Sequence, residues 1–162
     1  MPISEEAMQL EIQSLGANGA PTLGAAFEVL CDQWRAGERD RELALHLLFL
    51  AWYLNVEPAH LTGLDETRVS SKELPGIFNE VHDWLLPDGA ASSDAEALYA
   101  AGLPARMFPW VLGDHEVWTA RSESYRLRYR ELAPDGIAGS IFEGRGAYGE
   151  YYGQQARVAG GY

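Results

Sequence analysis

The chain has 162 residues, a length typical of a single domain, and 47% of these residues are apolar. This composition excludes a fibrous or wholly disordered protein, and the single cysteine, Cys31, excludes an intramolecular disulfide. The formal charge is −12, from 24 acidic and 12 basic side chains. A surface this acidic repels phosphate groups, which argues against nucleic acid as a partner. We expect one domain over residues 1–162.

The N-terminal segment carries no recognisable targeting signal. Residues 1–6 are acidic where a signal peptide is basic, and no apolar run follows them. The longest apolar stretch, residues 43–54, is too short to cross a bilayer. We therefore expect a cytoplasmic protein without a membrane partner, in which Cys31 is a reduced thiol buried on a helix face.

The first third of the chain predicts two amphipathic helices followed by a central one. Ser4 and Thr22 are placed to cap the first two helices. Asp40 caps a third helix over residues 41–55, which is apolar on nearly all sides and therefore typical of the centre of a core. His46 lies inside this helix, and we interpret it as a core histidine with satisfied hydrogen bonds.

Three further helices are predicted after the central one. The first begins at Ser70 or Ser71, and its apolar face is formed by Ile77, Phe78, Val81, Trp84 and Leu85. A short helix capped by residues 92–94 stops at Gly102, and residues 103–113, which hold two prolines, form a turn or one broken helical piece. The third is capped by Asp114 and runs to about residue 132. The preferred fold is therefore all-α, with six or seven helices packed around the helix over residues 41–55.

The C-terminal third leaves an alternative open. Residues 125–130 alternate tyrosine or leucine with arginine, a period of two that is typical of a strand. An α+β fold with a β-hairpin over about residues 124–142 is the alternative to the all-α fold. Residues 136–162 are rich in glycine and tyrosine, which predicts an appendage whose last three residues, 160–162, are frayed.

Acidic residues are concentrated in one stretch of the sequence. Residues 73–116 hold eight carboxylates against Arg106 alone. Such a stretch is often a solvated face, but it also fits a docking surface that selects a basic partner, with Trp84, Tyr99 and Trp110 as candidate aromatic anchors. The predicted partner-binding residues are Glu80, Asp83, Trp84, Asp88, Asp94 and Glu96.

The histidines offer one catalytic hypothesis. A His82-Asp83 doublet follows His46 and precedes Asp135, an order that resembles the HD phosphohydrolases. The resemblance implies that these four residues bind a divalent metal which activates water for phosphate ester cleavage. The sequence departs from the family pattern after the doublet, at residues 84–87, and it places Asp135 in a Pro-Asp-Gly turn.

These observations favour a non-catalytic protein over an enzyme. The sequence shows no nucleophile elbow, phosphate loop, dinucleotide fingerprint or zinc signature, and we predict no cofactor and no metal site under the preferred interpretation. In general character the chain resembles bacterial toxin-immunity proteins. The first hypothesis is an immunity or inhibitor protein that occludes a basic toxin or enzyme. The alternatives are the HD-like phosphohydrolase and a structural subunit that forms homo-oligomers through its tyrosine-rich tail.

Overall fold

Helices are the only regular secondary structure in the part of the chain that the structure, a computed structural model, describes, which is residues 3–159 and Tyr162. No strand occurs among these residues, so the all-α prediction is confirmed. None of the described helices is long and apolar enough to span a membrane. The α-helices are α1 (Glu5–Gln13), α2 (Leu23–Arg35), α3 (Arg41–Val56), α4 (Ala59–Thr62), α5 (Leu74–Leu85), α6 (Ala95–Met107), α7 (Pro109–Leu112), α8 (His115–Leu132) and α9 (Gly146–Ala159).

Side-chain caps start four of the helices where the sequence places them. The side chains of Ser4, Asp40, Asp94 and Asp114 each accept a hydrogen bond from a backbone N–H of the first turn, at 2.8–3.2 Å. These bonds satisfy N–H groups that have no partner within the helix. Thr22 makes no such cap, and its hydroxyl donates instead to the carbonyl oxygen of Leu10 at 2.6 Å, which ties α2 to α1.

Helix α3 is the centre of the bundle, as its composition predicts. Residues 43–50 are all buried, and the helix contacts α2, α5, α6, α7 and α9. A helix surrounded on all sides has no solvent face to keep polar, which explains its uniform apolar sequence. The helix ends at Val56, two residues before Pro58.

Helix α6 is longer than predicted, because it continues through Pro104 to Met107. A proline at this position has no N–H to donate to the carbonyl oxygen of Ala100. The Tyr152 hydroxyl donates to that oxygen instead, at 2.7 Å, and the Ser122 hydroxyl donates to the oxygen of Gly102 at 3.0 Å. Donors from α9 and α8 therefore supply hydrogen bonds to carbonyls in this part of the helix.

Residues 115–132 form the single helix α8, so the alternative β-hairpin over about residues 124–142 is wrong. The helix packs along α6, and it buries Trp118, Tyr125 and Tyr129 on one face. The spacing of these aromatics is that of a helix. Trp118 and Tyr125 pack against α5, and Tyr129 packs against α6. This burial of large side chains outweighs the strand-like alternation of residues 125–130.

The glycine- and tyrosine-rich tail belongs to the core. Phe142, Tyr148 and Tyr152 are buried in the main hydrophobic cluster, so the segment predicted as an appendage packs inside the bundle. Tyr162 is only 4% exposed, and its hydroxyl hydrogen-bonds to Ser122. The prediction that the last residues fray is therefore wrong for Tyr162, and residues 160 and 161 lie outside the described part.

Candidate functional site

Four of the six predicted partner-binding residues lie exposed at one end of α5 and in the turn that follows it. Glu80 and Asp83 are on the outer side of α5, because the helical period that buries Phe78 and its neighbours turns these two positions outwards. Trp84, which the sequence places on the apolar face of this helix, lies at the edge of that face and is exposed. Asp88 follows in the turn after the helix and is also exposed. We call Glu80, Asp83, Trp84 and Asp88 the α5 face.

Trp84 is held in place by a second tryptophan. The edge of one indole meets the face of the other, with the ring centroids of Trp84 and Trp34 5.7 Å apart and their planes at 89°. The Nε1 of Trp34 donates a hydrogen bond to a carboxylate oxygen of Glu80 at 2.8 Å. Trp84 remains 39% exposed, so the α5 face presents an ordered aromatic surface beside three carboxylates.

Asp94 and Glu96 lie elsewhere, in an ion network. The Arg41 guanidinium donates to both oxygens of Asp94, at 2.7 and 2.9 Å, and to Glu96 at 2.9 Å. Glu96 also pairs with Arg145 at 2.6 Å and accepts a hydrogen bond from the Tyr148 hydroxyl at 2.7 Å. Glu96 is only 9% exposed, so it cannot contact a partner in this fold, contrary to the sequence-based expectation.

The two other candidate anchors differ in exposure. Tyr99 is buried against Tyr129 and Tyr152, so it cannot anchor a partner. Trp110 is 61% exposed on α7, where its ring packs edge-on against Phe108. Exposed tryptophan is therefore found at two places in the described part of the chain, and Trp84 is the one that belongs to the predicted set of partner-binding residues.

His46 is the core histidine that the sequence predicts, and its partners were not foreseen. Its Nδ1 lies 2.6 Å from a carboxylate oxygen of the buried Glu11, and its Nε2 lies 3.0 Å from Glu42. Burial by itself lowers the pKa of His46, but these two carboxylates outweigh it and raise the pKa to about 9. Arg145 donates two hydrogen bonds to Glu42, and the pKa of Glu42 falls to about 2 because its bonds to His46 and Arg145 outweigh burial.

His82 has different surroundings. Its Nδ1 lies 2.9 Å from a carboxylate oxygen of Asp83, and its Nε2 lies 2.7 Å from the hydroxyl oxygen of Tyr125. The edge of one ring meets the face of the other between His82 and Trp118, whose centroids are 4.9 Å apart. Burial lowers the pKa of His82, and the hydrogen bond to Asp83 opposes this only in part.

The residues of the predicted HD-like metal site are not brought together. Both ring nitrogens of His46 and of His82 have partners of their own, and Asp135 lies exposed in the turn after α8. Within residues 3–159 and Tyr162, no group of three or more His, Cys, Asp or Glu side chains is arranged to hold a metal ion. The geometry therefore gives the metal hypothesis no support.

The chain matches no protein-family model, no curated protein and no solved structure. The candidate site therefore rests on the α5 face, where one ordered indole and three carboxylates are exposed together.

Proposed function

We propose that this chain is a non-catalytic acidic binding protein that occludes a basic partner, as a bacterial immunity or inhibitor protein occludes a toxin or an enzyme. One observation carries the proposal. The Trp84 ring is exposed, ordered by Trp34, and close in the chain to the exposed carboxylates of Glu80, Asp83 and Asp88.

This arrangement fits the way in which protein interfaces concentrate their binding energy. A central tryptophan that is already ordered in the free protein contributes much apolar contact and loses little conformational freedom on binding. Carboxylates around it select lysine and arginine on the partner, and a cation can also stack on the exposed indole face. The α5 face therefore supplies an aromatic anchor and, around it, carboxylates that favour a basic partner.

The charge of the whole chain acts in the same direction. Residues 1–116 hold 19 acidic and 6 basic side chains, whereas residues 117–162 hold 5 and 6. A net negative field of this kind accelerates encounter with a basic protein, and salt weakens the effect. Cytoplasmic location is part of the same proposal, since an inhibitor of this type protects the cell that makes it.

The test is capture of a partner with and without the α5 charges. The purified chain is immobilised and exposed to lysate of the native host at low and at high salt. We expect one basic protein in near-equimolar amount, less of it at high salt, and loss of it with the double variant Asp83→Lys and Asp88→Lys.

A matched variant separates the α5 face from total charge. Asp65→Lys with Glu66→Lys changes the net charge by the same amount at exposed positions outside this face. We expect this control to retain the partner, and Trp84→Ala to weaken binding by about 2 kcal/mol, the cost of an interface hot spot. Equal capture by the α5 variant and the control would contradict the proposal, as would recovery of no basic protein by the wild-type chain.

A further inference from the structure

A cavity of about 200 Å³ lies between the end of α1, helix α3 and helix α9. Most of the side chains around it are half-buried or exposed, so they already have surface that a ligand can reach. This accessible lining consists of Leu15, Tyr53, Glu150, Tyr151 and Gln154, and the buried Phe49 lies behind it. The cavity is therefore open to solvent without any change in the fold.

Three aromatic rings meet at this cavity. The centroid of the Phe49 ring lies 5.1 Å from that of Tyr53 and 5.4 Å from that of Tyr151, and the two tyrosine centroids are 5.9 Å apart. Phe49 is only 2% exposed, so it fixes both half-buried tyrosines against the core. The face of an aromatic ring carries partial negative charge and attracts a cation.

The charged groups at the cavity are acidic. Glu150 is exposed in its lining, and no arginine or lysine is among the described residues that line it. Burial raises the pKa of both Tyr53 and Tyr151, and the negative charge of Glu57 raises both further, so this carboxylate also acts on the two rings. Within residues 3–159, neither carboxylate forms an ion pair.

The basic side chains of the neighbouring elements have acidic partners of their own. Helix α1 contains no basic residue. Arg157 of α9 lies 3.7 Å from Glu143. Arg145, just before α9, and His46 on α3 both bind Glu42, at 2.6 and 3.0 Å. These positive charges are therefore compensated elsewhere, and the two carboxylates at the cavity remain without a counter-charge in the described part of the chain.

We propose that this cavity binds a small organic cation that carries a methylated ammonium group. The methyl groups lie against the rings of Tyr53 and Tyr151, and Glu150 supplies the opposite charge. Aromatic rings combined with negative charge are the usual means by which proteins bind quaternary ammonium groups. The proposal goes beyond the docking of a basic protein and does not depend on it, because the cavity shares no lining residue with the α5 face.

The test compares choline with dimethylbutanol, its uncharged isostere in which a carbon atom replaces the nitrogen, at constant ionic strength. Calorimetric titration gives the affinity, and the chemical shift of the ligand methyl protons shows whether they lie over ring faces, which moves them upfield. We expect choline to bind in the millimolar range with an upfield shift. Dimethylbutanol is expected to bind at least about tenfold more weakly, because it has no charge for the rings and carboxylates to attract.

Variants locate the binding in the cavity. Tyr151→Leu replaces an aromatic face by an aliphatic side chain, and Glu150→Gln removes a charge at an exposed position, where the fold is expected to persist. Each is expected to weaken choline binding by about three- to fivefold. The matched control is Glu116→Gln, the same change at an exposed position on α8 that does not line the cavity, and we expect it to leave the affinity unchanged.

Four results would each overturn the proposal. These are no binding of choline, equal binding of dimethylbutanol, unchanged affinity in Glu150→Gln, and an equal loss of affinity in Glu116→Gln, which would assign the binding to the net charge of the chain. Circular dichroism and thermal unfolding check that each variant is folded. If Tyr151→Leu does not fold, Glu150→Gln and the isostere decide the outcome.

Discussion

Two buried histidines lie on the contacting helices α3 and α5, and they differ in charge. His46 on α3 is protonated, whereas His82 on α5 is neutral. His46 lies between two carboxylates, and one of these, Glu11, is as buried as the histidine itself. Together they raise the pKa of His46 to about 9, so the ring is protonated at neutral pH. The result is a buried ion pair that joins α1 to α3, with Glu42 and Arg145 extending it to α9.

His82 is buried to a similar degree but is neutral. One ring nitrogen faces the uncharged hydroxyl of Tyr125, and the other faces Asp83, whose side chain is 74% exposed and therefore solvated. Burial then dominates and lowers the pKa of His82. The comparison shows that a histidine keeps its charge in this interior only where an opposite charge is buried with it.

Among the variants that test this difference between the two histidines, removal of Glu11 is expected to have the largest effect. Glu11→Ala leaves His46 in the core either with a charge that only Glu42 still compensates or as a neutral ring whose Nδ1 has lost its partner, and it also deprives the backbone N–H of Tyr148 of an acceptor. We expect the free energy of unfolding to fall by about 3–5 kcal/mol, the usual cost of breaking a buried pair from one side. Urea denaturation measures it, with Gln9→Ala on the exposed side of α1 as a control within about 0.5 kcal/mol of wild type.

Alkaline pH tests the same pair without a mutation. The pKa of His46 is about 9 in the fold and near 6.5 when the chain is unfolded, so its stabilising contribution is complete below pH 6.5 and is lost as pH rises through 9. Between these limits we expect the free energy of unfolding to fall by up to about 3 kcal/mol.

The pH range of this measurement has an upper limit, and His82 provides a comparison at its acidic end. It stops at about pH 8.5, because burial raises the pKa values of Cys31 and Tyr148, and these groups add their own loss of stability once they ionise in the unfolded chain. His82 contributes with the opposite sign, since its lowered pKa costs stability as pH falls below 6.5. A free energy of unfolding that stays constant over the alkaline range would show that His46 is not charged in the fold.

Loss of the Tyr125 hydroxyl is expected to have a smaller effect. Tyr125→Phe leaves one nitrogen of a neutral buried His82 without its partner, at a cost of about 1 kcal/mol, and leaves the alkaline pH dependence unchanged. The matched control is Tyr99→Phe, because the Tyr99 hydroxyl is buried without a hydrogen-bond partner among the described residues. Equal unfolding midpoints for the two variants would mean that the Tyr125–His82 bond adds nothing.

The smallest effect is expected for Asp83→Asn. Because the Asp83 side chain is largely solvated, neutralising it is expected to change the free energy of unfolding by no more than about 0.5 kcal/mol. Urea denaturation checks this. A loss as large as that of Glu11→Ala would mean that Asp83 stabilises the fold through His82 as strongly as Glu11 does through His46. A small effect also separates the proposed docking role of Asp83 from any role in folding.

Local signals in the sequence predicted most of the architecture. Asp40 caps the central helix and Asp114 caps α8, because a carboxylate that accepts from the first turn acts within three residues of itself. The outward placement of Glu80 and Asp83 follows from the helical period in the same way, so these two carboxylates were predictable. The same period places Trp84 on the apolar face of α5, and only the tertiary structure decided that its ring stays partly exposed.

The features that the sequence did not predict depend on contacts between residues far apart in the chain. Asp94 and Glu96 lie in the same acidic stretch as the α5 face, yet Arg41, more than fifty residues earlier, binds both of them. The continuation of α6 through Pro104 depends on the Tyr152 hydroxyl, 52 residues from the carbonyl that it satisfies. No pattern within one segment contains either contact.

The sequence by itself determined the all-α class, the central helix α3 and most of the helix caps, since these depend on residues one or two turns apart. Only the tertiary structure decided which charges stay on the surface. Carboxylates cannot be told apart by composition, but burial makes an unpaired charge costly, so the fold brings Glu11 to His46 and Arg145 to Glu42 and Glu96.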